Sequence, residues 1–262
     1  TSGTPRVLDA KAAGLFELGD GAKIVIEGDN ILSVTAEQAG GHPVEGNGLY
    51  SVKIGDQAGD QKFADLSQVT TDLQLELGSA NDVVFNDPNN TDAKINVADG
   101  RTLTVFAVDA PTPSDASTLD LRQADALTVH ANGTVAVDAE TTILMNAGQA
   151  DGVAIQGTAV GDGSVEVYDL NASSDAVLSG IDLDLTIDIA NNGRNDSPVA
   201  LGSSAEIAVA AGKALTVTSD NDGTNDVLDV TQAAVFSIDA SGNPGSVIVD
   251  PDTNLKMTAN QA

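Results

Sequence analysis

The chain copies itself, and no local feature limits its fold as strongly. The stretch "LDAKAAGLFELGDGAKIVIEGDNILSVTAEQA" from Leu8 aligns without a gap on "LDLRQADALTVHANGTVAVDAETTILMNAGQA" from Leu119. The offset from Leu8 to Leu119 is 111, and Ala39 to Ala150 gives the same value. A third copy, "LDVTQAAVFSIDASGNPGSVIVDPDTNLKMTANQA", runs from Leu228 to Ala262 with three extra residues around Asn243, Pro244 and Gly245. The intervening parts repeat as well. "LSQVTTDLQLEL" from Leu66 matches "LSGIDLDLTIDI" from Leu178, and "INVADGRTLTV" from Ile95 matches "IAVAAGKALTV" from Ile207, both at an offset of 112. That offset is the length of the implied unit. Residues 1–39 then form the C-terminal part of a preceding repeat or a pairing segment, 40–150 repeat unit 1, and 151–262 repeat unit 2. The closing Ala-x-Gln-Ala falls at the phase of Ala39 and Ala150, as expected of a slice of a longer array, a subunit completed by its neighbour, or a natural C-terminus.

Local patterning points to strands. In "IDLDLTIDIA", Ile181, Leu183, Leu185, Ile187 and Ile189 alternate with Asp182, Asp184, Thr186 and Asp188, a period of two that buries one face and leaves the other acidic. "TDLQLEL" repeats the pattern and places Asp72, Gln74 and Glu76 outward. Short strands recur around Leu127, Val135 and Ile143, and turns such as "ADGR", "AAGK", "HANG" and "GDG" separate them, with Gly or Asn supplying positive φ. "TAEQAGG" has room for one helical turn before its glycines, and no stretch carries a longer helical period. "AVDAPTPSDAST", 107–118, is the best surface loop, because its counterpart in the next unit is three residues shorter.

With 41% apolar residues the chain can build a core, yet only 3% are aromatic and none is Trp, so the core must consist of thin layers of Val, Ile, Leu and Ala. Two all-β architectures fit. A parallel β-solenoid (β-helix) built from these repeats stacks rungs of roughly 20–25 residues so that like side chains form ladders. Tandem immunoglobulin-like β-sandwiches would make each unit a separate domain. The shortage of aromatics and the short strand-turn rhythm favour the solenoid; the unit length suits the sandwich.

Charge narrows the partners. Eleven basic against 39 acidic residues leave a formal charge of -28, which repels nucleic acid and anionic lipid and attracts cations. No apolar run reaches the roughly 18 residues of a membrane span, and the start "TSGTPR" lacks signal-peptide character. Without cysteine there is neither a disulfide framework nor a thiolate metal site. His42 and His130 stand at different phases and outside any metal or triad spacing, so no catalytic residues are expected. Calcium is the cofactor to consider. "SDNDGTNDVLD" gathers Asp220, Asp222, Asn225 and Asp226 around Gly223, and "FNDPNNTDA" offers Asp87, Asn89, Asn90 and Asp92 as a weaker set. Hard oxygen ligands on a Gly turn suit Ca²⁺, although the first turn lacks the closing Glu of a helix-flanked calcium loop and both also read as solvated turns. Asn-x-Ser/Thr triplets at Asn89, Asn132, Asn171 and Asn195 are glycosylation acceptors in form only, since an Asn- and Thr-rich chain produces them by chance.

The "AxQAxG" units, each followed by a Gly-bounded strand as in "GVAIQGTAVGDGSVEVYDL" and then "LSGI", resemble the large repetitive β-strand-repeat surface proteins of Gram-negative bacteria, of the secreted adhesin, surface-layer or extracellular filament type. The resemblance implies extracellular display at the cell surface, multiplicity and calcium-dependent rigidity, and it brings no catalytic residues. The expected function is structural: a self-associating element of a filament, surface layer or adhesin stalk. Copies of the chain itself are its expected partners, with host-surface or matrix glycans as a further class. The alternatives are a β-helical polysaccharide-processing enzyme, which would need basic and aromatic residues clustered in a groove, and a carbohydrate-binding module, which would need stacked rings or Thr ladders.

Overall fold

A computed structural model of the chain describes residues 6–13, 21–55, 63–78, 83–85, 93–108, 117–122, 126–170, 174–189, 198–219 and 226–261. They form two compact units, one of residues 1–142 with 158–162 and one of 143–157 with 163–262. Both are all-β with long parallel sheets, and the strand pairs described below run parallel rather than antiparallel as in a sandwich.

The first unit contains β1 (Val7–Asp9), β2 (Ile24–Ile26), β3 (Ile31–Thr35), α1 (Ala36–Ala39), β4 (Val44–Gly46), β5 (Leu49–Ile54), β6 (Asp65–Leu66), β7 (Asp72–Leu77), β8 (Val83–Val84), β9 (Lys94–Val97), β10 (Thr102–Ala107), β11 (Ser117–Asp120), β12 (Ala126–Val129) and β13 (Thr134–Val137). After β14 (Thr141–Asn146) come α2 (Ala147–Ala150), β15 (Ala154–Gly157), β16 (Ser164–Tyr168), β17 (Ile181–Asp182), β18 (Asp184–Asp188), β19 (Val199–Ala200), β20 (Glu206–Val209), β21 (Ala214–Thr218), β22 (Asp226–Asp229), β23 (Val235–Ile238), β24 (Ser246–Val249) and β25 (Thr253–Lys256).

Parallel strands cannot be joined by a tight hairpin, so the chain must travel away and return between neighbours. In the first unit β1, β3, β5, β7, β10 and β13 lie side by side in that order, and the strands passed on the way pair elsewhere: β2 with β4, β8 with β11, and β6, β9 and β12 together. The second unit follows suit, with β16, β18, β21 and β24 in one sheet, β19, β22 and β25 in another, and β20 paired with β23. The length of each return depends on how many strands it contains. Val7 returns to Ile31, Ile31 to Leu49 and Tyr50 to Leu73 at offsets of 24, 18 and 23, each with one strand between among the described residues. Leu73 returns to Leu103 and Leu103 to Val135 at offsets of 30 and 32, each with two described strands between. The second unit gives offsets of 20, 30 and 32 from Val165 through Leu185 and Leu215 to Val247. The longer returns exceed the expected spacing because a third strand, such as β8 or β19, is inserted.

Alternation turns every second side chain inward, and parallel register lines those side chains up across strands. Tyr50, Leu73, Leu103 and Val135 make one buried ladder, and Val34, Val52, Leu75, Val105 and Val137 the next. Val165, Leu185 and Leu215, beside Val167, Ile187 and Val217, repeat the arrangement in the second unit. Each full burial of such a side chain contributes about 1.5–3 kcal/mol, which is how a core almost without aromatic rings holds. Tyr50 is the costly member: its hydroxyl is buried without a partner, and burial pushes its ionisation far above the ordinary phenol range.

Two local expectations hold and one does not. Ile181, Leu183, Leu185, Ile187 and Ile189 are buried with Asp182 and Asp184 exposed, and α1 is the single helical turn of "TAEQAGG". Glu76, expected outward, is instead buried and bonded to Lys11 Nζ at 3.2 Å. That lysine follows β1 and is distant in the chain, so no local pattern announces it. The loop of 107–118 lies mostly outside the described residues.

Candidate functional site

The abundant carboxylates work first as turn locks. Asp72 Oδ1 accepts the Thr102 N–H at 3.0 Å and Asp184 Oδ1 the Ala214 N–H at 2.8 Å, each reaching the start of the next strand in its sheet. Asp9, Asp120 and Asp229 each accept the N–H two residues on, from Lys11, Arg122 and Thr231, at 3.1, 3.0 and 3.0 Å. Such side-chain bonds hold a strand end in its turn. They also set the electrostatics. Burial works against ionisation of Asp120, but the Arg122 guanidinium and N–H outweigh it and hold the carboxyl below its usual range. Lys256, bonded at 2.5 Å, and then Thr231 bring Asp229 down to about 2.

The glutamine of each "AxQA" segment has a task that its place in the repeat does not announce. Thr35 N–H donates to Gln38 Oε1 at 2.9 Å, Asn146 N–H to Gln149 Oε1 at 2.8 Å, and Thr258 N–H to Gln261 Oε1 at 2.8 Å. Gln38 Nε2 reaches back to the Ala10 and Ala13 carbonyls at 2.9 and 2.8 Å, and Gln261 Nε2 to the Val230 carbonyl at 2.8 Å. The amide ties a turn to a segment about one return earlier. The spacing of Thr or Asn three residues before Gln is a capping-box signature and could have revealed it.

Of the two candidate calcium turns, only Asp226 is described. It opens β22, is buried, and receives its backbone partner from Asp252, whose carbonyl accepts the Asp226 N–H at 3.1 Å. Asp220, Asp222 and Asn225 lie outside the described residues, as do Asp87, Asn89, Asn90 and Asp92. Among the described residues no three His, Cys, Asp or Glu side chains converge as a metal site requires. His130 is exposed in the turn after β12, and His42 is half-buried ahead of β4. Asn132, the described member of the triplets, takes a positive φ of 58° and donates to Asp99 Oδ1 at 3.1 Å. Asn89, Asn171 and Asn195 are outside the described residues. No helix among the described residues is long and apolar enough to cross a membrane.

The first unit also has an open groove of about 360 Å³, with Asp29, Asn30, Asn47, Asp72, Thr102 and Thr104 on its walls. Its lining contains no aromatic ring, basic side chain or nucleophile–base pair, so it offers hydrogen bonds without a stacking platform. No family model, curated protein or solved structure matches the chain.

What remains are the outermost strands. β1 ends the first unit's largest sheet with Val7 and Leu8 61% and 65% exposed, and Val25 of β2 is 51% exposed. β23, β24 and β25 each end a sheet of the second unit, with Ile238, Ile248 and Val249 exposed. Apolar side chains beside unpaired backbone N–H and C=O groups can accept a further strand.

Proposed function

We propose that the chain is a structural, self-associating repeat protein of an extracellular filament, surface layer or adhesin stalk, folded as a parallel β-solenoid whose repeats recur at an offset of 112. The observation that carries this is the recurrence of register between the units. Asp72 locks Thr102 and Asp184 locks Ala214 at that same offset, and the Asp65–Lys94 pairing recurs with it as Val177–Glu206. Strands that return to the same sheet every second or third element are what a continuous coil produces. Stiffness comes from backbone pairing and aliphatic ladders, neither of which needs a substrate. Calcium bound at Asp220, Asp222, Asn225 and Asp226 would relieve the repulsion that a net charge of -28 imposes on stacked rungs.

Negative-stain microscopy of the purified chain, with calcium and with EDTA, tests this. Long fibres that fray on chelation support both the assembly and the calcium turns. Fibres indifferent to EDTA remove calcium alone, and dispersed monomers under both conditions overturn self-association.

A further inference from the structure

We infer that Asn47 and Asn132 are latent deamidation sites, each held closed in the folded chain by the hydrogen bond that the following glycine donates, and that Asn132 opens first. The inference concerns two turns of the first unit and does not depend on self-association.

Asparagine is a chemically labile residue, and it is most open to attack by its own chain when glycine follows, because no side chain shields the glycine nitrogen. That nitrogen loses its proton and bonds to the asparagine Cγ; the Cγ–Nδ2 bond breaks, and ammonia leaves with a proton. Water then opens the resulting ring to aspartate or, with the main chain rerouted through Cβ, to isoaspartate. The sequence carries the pair at Asn47–Gly48, Asn132–Gly133 and Asn192–Gly193, the last outside the described residues.

Packing explains why neither described pair can drop its glycine. A Cβ at Gly48 would run into the Ile26 side chain, and one at Gly133 would meet the His130 carbonyl and the Val129 side chain, both at 2.9 Å. The asparagines are occupied as well. Asn47 Oδ1 accepts the Gly28 N–H at 2.7 Å, and Asn132, at a φ of 58°, donates to Asp99 Oδ1 at 3.1 Å. Both asparagines are exposed and both glycines are buried. What the fold withholds is the attacking nitrogen: Gly48 N–H donates to the Ile26 carbonyl and Gly133 N–H to the His130 carbonyl, each at 2.9 Å. That bond has to break before the nitrogen can give up its proton and the ring can close.

The two guards differ in what must move. Ile26 ends β2, which is paired with β4, so freeing Gly48 means parting a turn from a neighbouring strand. His130 stands in the same turn as Gly133 and is itself exposed, so freeing Gly133 needs only that turn to open. Openings confined to an exposed turn cost least. Deamidation of Asn132 adds a negative charge beside Asp99 in a chain already at -28, and isoaspartate lengthens the main chain between β12 and β13.

The test incubates the purified chain at mildly alkaline pH, in buffer and in concentrated guanidinium chloride, with circular dichroism checking that only the second sample is unfolded. Peptide mapping by mass spectrometry follows conversion of each asparagine to the acid, and isoaspartyl methyltransferase labels the rearranged product. In denaturant the two sites are expected to react within about twofold of each other; in buffer Asn132 should slow roughly tenfold or more, and Asn47 further still. Amide hydrogen exchange reads the guards directly, with both glycine N–H groups protected and Gly48 the slower. A folded rate equal to the denatured one at either site overturns the guard there, as does an unprotected Gly48 or Gly133. Failure of both sites to react in denaturant overturns them as latent sites. Faster conversion at Asn47 than at Asn132 in buffer overturns the order; if both stay intact in buffer, faster exchange at Gly48 than at Gly133 does so.

Discussion

Residues 24–39 and 247–261 carry the same pattern and meet different fates. Each has an aliphatic triplet, a strand, and a turn in which Thr N–H donates to the Gln three residues on, at 2.9 Å in one and 2.8 Å in the other. Each glutamine then reaches back to an earlier carbonyl, Ala10 or Val230. Yet Ile26 is 5% exposed and Gln38 is buried, whereas Val249 is 37% exposed and Gln261 is partly exposed. β4 and β5 lie over the first segment, and no described strand lies over the second. The local hydrogen bonds are therefore properties of the segment, and burial is a property of its neighbour.

The largest effects should come where both regions rest on the same ladder. Leu103→Ala and Leu215→Ala remove fully buried leucines at equivalent positions of the two units, and each is expected to lower unfolding free energy by about 2–5 kcal/mol. Urea titration measures both. A loss for Leu215→Ala less than half that for Leu103→Ala would break the equivalence, because it would mean that the ladder relaxes beside uncovered β24.

Gln38→Ala and Gln261→Ala sharpen the contrast at the turns. The first strands a Thr35 donor and two carbonyls in a buried setting and should cost about 1–3 kcal/mol; the second leaves its groups to water and should cost less than about 1 kcal/mol. Chemical denaturation with amide exchange at Thr35 and Thr258 reads both, and equal losses would show that burial does not govern the bond.

The smallest effect is electrostatic and belongs to the second region alone. Asp229 titrates in the folded chain at about 2, below its ordinary value of 3.8, so its contribution to stability is present above that ordinary value and fades as pH falls toward 2. Lys256→Gln should return the Asp229 carboxyl toward the ordinary range in a carbon-13 NMR titration. An unchanged midpoint would show that Lys256 is not the main cause of the depression.

Much of this was legible in the order of residues. Alternation in 181–189 named the buried isoleucines and leucines, and "TAEQAGG" marked α1. The direction of pairing was not legible, since short aliphatic strands suit both a solenoid and a sandwich; parallel register appears only when Leu73 meets Leu103 across a long return. The candidate site was less legible still. A surplus of Asp suggested calcium, while Asp9, Asp72, Asp120, Asp184 and Asp229 are seen holding backbone N–H groups.

By itself the sequence determined the offset of 112 between its matching stretches, the strand character and the inward residues, because periodicity and offset are local or one-dimensional properties. Only the tertiary structure decided that a return lengthens where a third strand enters, as it does between Leu73 and Leu103 and not between Ile31 and Leu49. It alone buried Glu76 against Lys11 and left Ile248 in water while covering Ile26. Each of those outcomes depends on which distant segment comes to lie alongside, and a residue's own neighbours in the chain hold no record of that.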